Sequence, residues 1–358
     1  MASSKEDGTA AAAEQLRSIS LGSSAERKND DNETEPTAKN GTPTKMCSAC
    51  GKKSNTLKKC NGCKCVWYCD KDCQNKHRKE HKRECRPIKK VLDQRGGKLD
   101  VGTELDVEPL GEVPLREECP ICMRVLPIHP NLQGYSNCCG KTICSGCGLQ
   151  HQRKSKERAH GPTCAFCREP NANCTDSDEE ILVRQRKRVE LLDPIALCNM
   201  AFDYGYGVHG LPVDQAKCIH LLRQSADLGN PDAHYSLGNF YCNGEMGIEQ
   251  NKEEAVKSYQ KAAEGGNIHA RHNLGWKEDA NGDYVSAIRH FRLSASGGLQ
   301  GSMEALIIYF ENGSLHHSDL AEAAQAFYVA RDEMKSEDRD KFIQYLKFNG
   351  EYKEEYDM

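Results

Sequence analysis

Pairs of cysteines separated by two residues recur through the first half of this chain, and they constrain its fold more than any other feature. One run reads Cys47, Cys50, Cys60, Cys63, Cys69, Cys73, His81 and Cys85. A second reads Cys119, Cys122, Cys139, Cys144, Cys147, Cys164 and Cys167, with Cys138 beside Cys139. Two thiolates at this spacing can turn onto one tetrahedral Zn²⁺, and each run has the spacing of a two-metal cross-brace. Four protein ligands per ion leave no open coordination position. The metal therefore builds structure, and function is to be sought in binding surfaces.

A chain of 358 residues can hold two or three domains. With 37% hydrophobic, 28% charged and only 6% aromatic residues, it is too polar for one large core and suits small modules joined by solvated segments. A net charge of −4 provides no global field to recruit nucleic acid or an anionic membrane. No apolar leader follows Met1 and no stretch has the length of a membrane span. The 20 cysteines then predict an intracellular, reducing compartment, cytoplasmic or nuclear, with metal-bound thiols rather than disulfides.

Residues 1–44 have few apolar anchors and are expected to be disordered. Residues 45–88 form the first finger, 89–115 a connection, and 116–172 the second finger. An acidic-to-basic stretch, 173–192, reads as a linker that becomes helical near Ile181. From 193 to 335 the sequence repeats itself, and 336–358 is a C-terminal helix and tail. Ala196 and Met200, Ala233 and Leu237, Ala270 and Leu274, and Ser302 and Leu306 occupy equivalent places. Ser225-Ala226, Ala262-Ala263 and Ser294-Ala295 keep the same offsets, and glycine follows each pair. Small residues at fixed positions let helices approach closely, and this period means stacked helical hairpins. The expected fold is multidomain: two small cross-brace zinc-binding α+β modules followed by an all-α solenoid of helical hairpin repeats. Chelation is then expected to unfold the fingers and spare the repeats.

In the first finger, Cys47, Cys50, Cys69 and Cys73 would share one ion and Cys60, Cys63, His81 and Cys85 the other. The stretch from Cys73 to Cys85 has a helical composition, which puts His81 and Cys85 on one face. His77, four residues after Cys73, is an alternative ligand, and Cys65 is left over as a free thiol. With Tyr68-Cys69, Cys73-Gln74 and His81-Lys82-x2-Cys85, this module resembles the MYND-type zinc finger. The resemblance implies a protein-interaction module that docks short, often proline-containing peptides beside the metals. Trp67 and Gln74 would lie near that groove; packing and plain surface are their alternative roles. No methyltransferase signature surrounds the finger. Basic residues prevail between Lys45 and Lys98, but no aromatics are interleaved at base-stacking spacing, so nucleic acid is not the expected partner.

The second run resembles a RING-type finger. That resemblance would make Ile121 and Phe166 contacts for a ubiquitin-conjugating enzyme, and Arg168 the cation that steadies the ubiquitin conjugate. Alternatively, Ile121 and Phe166 cover thiolates and Arg168 is simply exposed. The chain departs from the family in two places. Lys141 stands where the family has a histidine ligand, and Ala165 where ligases commonly have proline. Cys138 and Cys139 can together supply the missing ligand only through a local kink; His151 and His160 are weaker substitutes. About four Zn²⁺ are expected in all.

The landmarks Leu237-Gly238-x2-Tyr241-x2-Gly244 and Asn251-x3-Ala255 resemble SEL-one-like repeats, relatives of the tetratricopeptide solenoid. Their third copy is shortened at Asn281-Gly282-Asp283. Such solenoids offer a concave surface to partner proteins. His209, His220, His234 and His316 read as surface or packing residues. The favoured function is a non-catalytic adaptor: a peptide at the first finger, a second contact at the other, a larger client on the repeats. The alternatives are a RING-type ubiquitin ligase whose substrate arm is the solenoid, and a chromatin or transcription regulator.

Overall fold

A computed structural model of the chain describes residues 47–50, 52, 56–61, 66–94, 116–156, 163–169 and 177–351. The segment read as disordered, 1–44, lies outside them, as do Cys63, Cys65 and His160. Among the described residues there are twelve α-helices and two short antiparallel hairpins.

The first finger pairs β1 (Lys58–Lys59) with β2 (Trp67–Tyr68) and continues into α1 (Lys71–Gln94). Asp70 starts that helix by accepting from the Cys73 backbone N–H at 2.8 Å. The helix covers Cys73 to Cys85 as expected and runs on to Gln94. In the second finger, β3 (Gln133–Ser136) and β4 (Lys141–Cys144) pair in the register Gln133↔Cys144 to Ser136↔Lys141 and lead into α2 (Ser145–Lys156).

The helical part begins with α3 (Asp178–Glu190), started by a capping box between Ser177 and Glu180. Four hairpins follow. They are α4 (Pro194–Tyr206) with α5 (Gln215–Asp227), α6 (Pro231–Asn243) with α7 (Lys252–Glu264), α8 (Ile268–Asn281) with α9 (Tyr284–Ser296), and α10 (Gln300–Glu311) with α11 (His317–Glu333). Helix α12 (Glu337–Phe348) closes the described chain. Asp193, Asp214, Asn230, Asn251, Asn267 and Asp283 each cap a helix through a side-chain oxygen, so the repeat carries its own start signal. Gly207 and Gly244 end α4 and α6 in the left-handed conformation, which costs glycine nothing.

The small residues at equivalent positions are the contact points of the stack. Ala196, Ala233, Ala270 and Ser302 are all fully buried. Ser225 Oγ donates to the Pro194 carbonyl at 2.6 Å and Ser294 Oγ to the Ile268 carbonyl at 2.8 Å. A Cβ at Gly238 would lie 2.6 Å from the Tyr259 ring, and one at Gly275 2.7 Å from the Phe291 ring. Gly238→Val should therefore cost about 1–3 kcal/mol by overpacking, read as a lower urea midpoint with an unchanged slope. A neutral result would mean that α6 and α7 can part without penalty.

The fingers are not separate beads. Helix α1 packs on α11, and buried Cys47, Leu57, Cys60, Val66, Tyr68 and Ile88 share one core cluster with Ile288, Phe291, Leu306 and Phe327. The second finger touches both ends of the helical array. At the leading end Tyr135 donates its hydroxyl to Asp193 Oδ2 at 2.8 Å, a carboxylate also held by the Arg188 guanidinium. At the trailing end Gln150 Nε2 donates to Asp338 Oδ1 at 2.8 Å, and Leu132 packs with Phe342 and Leu346 of α12.

Candidate metal centres

Four sets of donor atoms converge, each set lying within 4.8 Å of one another. They are Cys47, Cys50, Cys69 and Cys73; Cys60, His81 and Cys85; Cys119, Cys122, Cys144 and Cys147; and Cys138, Cys139, Cys164 and Cys167. Cys63, expected as the fourth donor of the second set, lies outside the described residues. A tetrahedron with Zn–S bonds of about 2.3 Å has edges of roughly 3.8 Å. The sulfur pairs Cys50–Cys69, Cys60–Cys85, Cys122–Cys144 and Cys139–Cys164 are 3.6, 3.9, 3.9 and 3.7 Å apart, and His81 Nε2 is 3.3 Å from Cys60 Sγ. These are tetrahedron edges, so the donor sets fit zinc. When bound, zinc would cross-link segments that are too small to bury a core of their own.

Local backbone prepares the thiolates. Burial opposes charge on Cys47, but N–H groups from Ala49, Cys69 and Cys50 donate to its sulfur and bring the thiol down to about 6. Cys119 and Cys164 behave alike. Burial raises each, and backbone donors, including the Cys144 N–H at 3.4 Å and the Phe166 N–H at 3.4 Å, bring both to about 7. Each of the three all-cysteine sets thus holds one thiol that ionises near neutral pH. The Cys119–Cys122 and Cys164–Cys167 loops are built alike. Cys119 N–H donates to the Arg124 carbonyl and Cys164 N–H to that of Glu169, and Met123 and Arg168 take left-handed φ values of 55° and 63°.

The candidate ligands left open by spacing sit in different surroundings. His81, 5% exposed, joins Cys60 and Cys85, whereas His77 turns its Nδ1 to the Tyr68 hydroxyl at 3.0 Å and stacks on His81. Cys138 and Cys139 do face one site. The turn that permits it has the N–H groups of Cys139 and Gly140 both on the Ser136 carbonyl, with Gly140 at φ 71°. Lys141 is exposed on β4, and His151 is engaged with the Thr163 carbonyl at 2.7 Å and with Ser155. His81→Ala and Cys138→Ser should each lower the zinc count by one in native mass spectrometry. His77→Ala and His151→Ala should leave it unchanged, and the opposite pattern would reassign these ligands.

Ile121 is 43% exposed and Arg168 is exposed, each on a metal loop. Phe166 is half-buried against Cys119, Leu126, Ile143 and Cys147, so it serves the finger's core as well. Trp67 is half-buried under the Lys59 ammonium, 4.9 Å from its ring centroid, and Gln74 is half-buried on α1. His209 pairs with Asp178 at 2.8 Å, His220 is exposed, and His234 and His316 are half-buried. Sequence reasoning missed His317, whose ring lies 5.7 Å from that of His81, and Arg339, which reaches Cys122. Neither has a signal in the residues around it. Among the described residues no helix is long and apolar enough to cross a membrane.

Two known families match parts of this chain. Residues 47–85 match the MYND finger family, and 194–230, 231–267 and 269–299 match the Sel1 repeat. Histone-lysine N-methyltransferase ASHR1 of Arabidopsis thaliana is 38% identical over 52 residues, 14% of this chain and 11% of that protein. Chitin synthase regulatory factor 4 of Schizosaccharomyces pombe is 25% identical over 113 residues, 32% of this chain and 18% of that protein. The chain thus spans less than a fifth of the length of either relative. Among solved structures, a Sel1 repeat protein from Oxalobacter formigenes aligns at 24% identity and TM-score 0.33, covering 36% of this chain and 97% of that one. The protective antigen c5321 of uropathogenic Escherichia coli, with an SLR fold, aligns at 24% identity and TM-score 0.35, over 47% and 36%.

Proposed function

We propose that this chain, which carries a MYND finger and Sel1 repeats, is a zinc-built adaptor that brings protein partners together. The observation that supports this reading is that the converging thiolates are also core residues of the surfaces they hold. Cys47 and Cys60 lie in the same buried cluster as the last helical hairpin. In this reading Cys47, Cys50, Cys60, Cys63, Cys69, Cys73, His81 and Cys85 bind two Zn²⁺, and Cys119, Cys122, Cys138, Cys139, Cys144, Cys147, Cys164 and Cys167 bind two more. Residues 45–88 take a short peptide beside Trp67 and Gln74, 116–172 make a second contact, and the repeats of 193–335 take a larger client. Reduced, metal-bound thiols accord with an intracellular location, cytoplasmic or nuclear.

The exposure of Ile121 and Arg168 on the two metal loops favours a second reading, a RING-type ligase. Such a finger does no covalent chemistry of its own; it orients a charged conjugating enzyme for attack. Ubiquitin transfer by the full chain with a panel of conjugating enzymes decides between the two. The adaptor reading expects no robust transfer. Transfer that is lost in Ile121→Ala or Arg168→Ala, with zinc content and fold retained, would make the protein an enzyme. Loss of an apolar anchor at position 121 would weaken that contact by about 2 kcal/mol.

A further inference from the structure

The first turn of α12 meets the metal loop of the second finger. A Cβ at Gly146, beside Cys147, would fall 2.6 Å from the Arg339 backbone nitrogen and 2.7 Å from the Asp338 carbonyl oxygen, so a larger residue would push the helix away. From this turn Arg339 sends its guanidinium into the finger, and the residue is only 7% exposed. Nη1 donates to the Val125 carbonyl at 2.7 Å and to the Met334 carbonyl. Nη2 reaches the Arg124 carbonyl at 3.5 Å and Cys122 Sγ at 3.8 Å. Its Nε–H is buried without an acceptor, and among the described residues no carboxylate pairs with it. A buried cation is costly unless an anion compensates it. The anionic group this guanidinium reaches is the cysteine set itself, because four thiolates around one divalent cation carry two negative charges in excess.

We propose that Arg339 is the counter-ion of the centre formed by Cys119, Cys122, Cys144 and Cys147, and that this pairing latches the C-terminal helix onto the second finger. The inference rests on reading that cysteine set as a zinc centre. Charge compensation from outside the ligand set strengthens metal retention, and the filled centre in turn holds α12. With the centre empty, the two loops are no longer cross-linked and Arg339 loses its fixed anionic partner, so α12 loosens. A cleft of about 600 Å³ between the finger, α3 and α12 has Phe342 and Tyr345 as its α12 wall, and this wall moves with the latch.

The test uses the full chain, zinc counting by native mass spectrometry, zinc release to a chromogenic chelator, and hydrogen exchange of α12. Arg339→Met keeps the stem and removes the charge. It should speed release of one ion about 10–100-fold and leave the others at the wild-type rate. Arg339→Lys should recover part of the effect, and Gly146→Val, which displaces the helix without touching the charge, should speed the same ion. In Cys122→Ser, which lacks that ion, amides of 337–348 should exchange on the order of 10-fold faster, and adding Arg339→Met should change nothing more. Unchanged release of every ion in Arg339→Met, with or without lower thermal stability, would reduce Arg339 to packing and overturn the proposal. So would wild-type protection of α12 in Cys122→Ser. A zinc count that Cys122→Ser does not lower would overturn the underlying zinc reading, and the latch with it.

Discussion

Complete chelation of zinc should unfold both fingers and also strip protection from α10 and α11, while α5 to α7 keep theirs. Zinc binding supplies on the order of 10–16 kcal/mol to small finger folds, far more than their own cores can. Taken as independent modules, the fingers would leave every repeat helical when the metal goes. The structure narrows that expectation. Ile88 of α1, 1% exposed, belongs to the same cluster as Phe327, Ala323 and Leu320 of α11, and α1 packs along that helix. His317 at the start of α11 lies against His81. Losing the first finger therefore exposes one side of the last hairpin, whose other side rests on α9. Hydrogen exchange with and without chelator reads this residue by residue. If 300–333 exchange at the same rate in both, the shared core contributes nothing and the finger is an independent unit. Stability in such arrays is a sum over neighbours, so α5 to α7, remote from α1 and from the Tyr135–Asp193 contact, should report no change.

Phe291→Ala should cost about 3–5 kcal/mol, the range for a large aromatic removed from a closed core. Phe291 is fully buried on α9, with its ring against the backbone of Gly275. Trp276, His272 and Tyr309 surround it at centroid distances of 5.1, 5.6 and 6.1 Å, so one ring ties α8, α9 and α10 together. His272 cannot move in to fill the space without losing its bonds to Ser302 Oγ at 2.8 Å and to the Trp276 indole N–H at 3.0 Å. Burial also holds that imidazole down to about 4, so it stays neutral at physiological pH and adds no charge to the cavity. Urea denaturation monitored by Trp276 fluorescence checks the number. A loss below about 1 kcal/mol would mean that the third and fourth hairpins are not mechanically joined through this ring.

The parts of this protein that could be read from its sequence are those whose physics is local. A two-residue gap between cysteines already brings both sulfurs to one point, and i, i+4 spacing puts His81 and Cys85 on one helical face. Small residues at a fixed offset, with glycine after each pair, specify a hairpin that can only be buried on another like it. Spacing put His81 in the ligand set with His77 as an alternative, and only the fold shows their surroundings: His81 beside Cys60 and Cys85, His77 on the Tyr68 hydroxyl. Cys138 and Cys139 required a backbone turn that their spacing alone disfavours. The relation of the modules lay wholly beyond the sequence. Arg339 meets Val125 across 214 residues and Cys122 across 217, and Tyr135 meets Asp193 across 58. No periodicity or motif links such positions, since their pairing depends on how four stacked hairpins carry the C-terminal helix back to the second finger. Local chemistry decided that the chain has metal knots and helical repeats; only tertiary packing decided that they form one body.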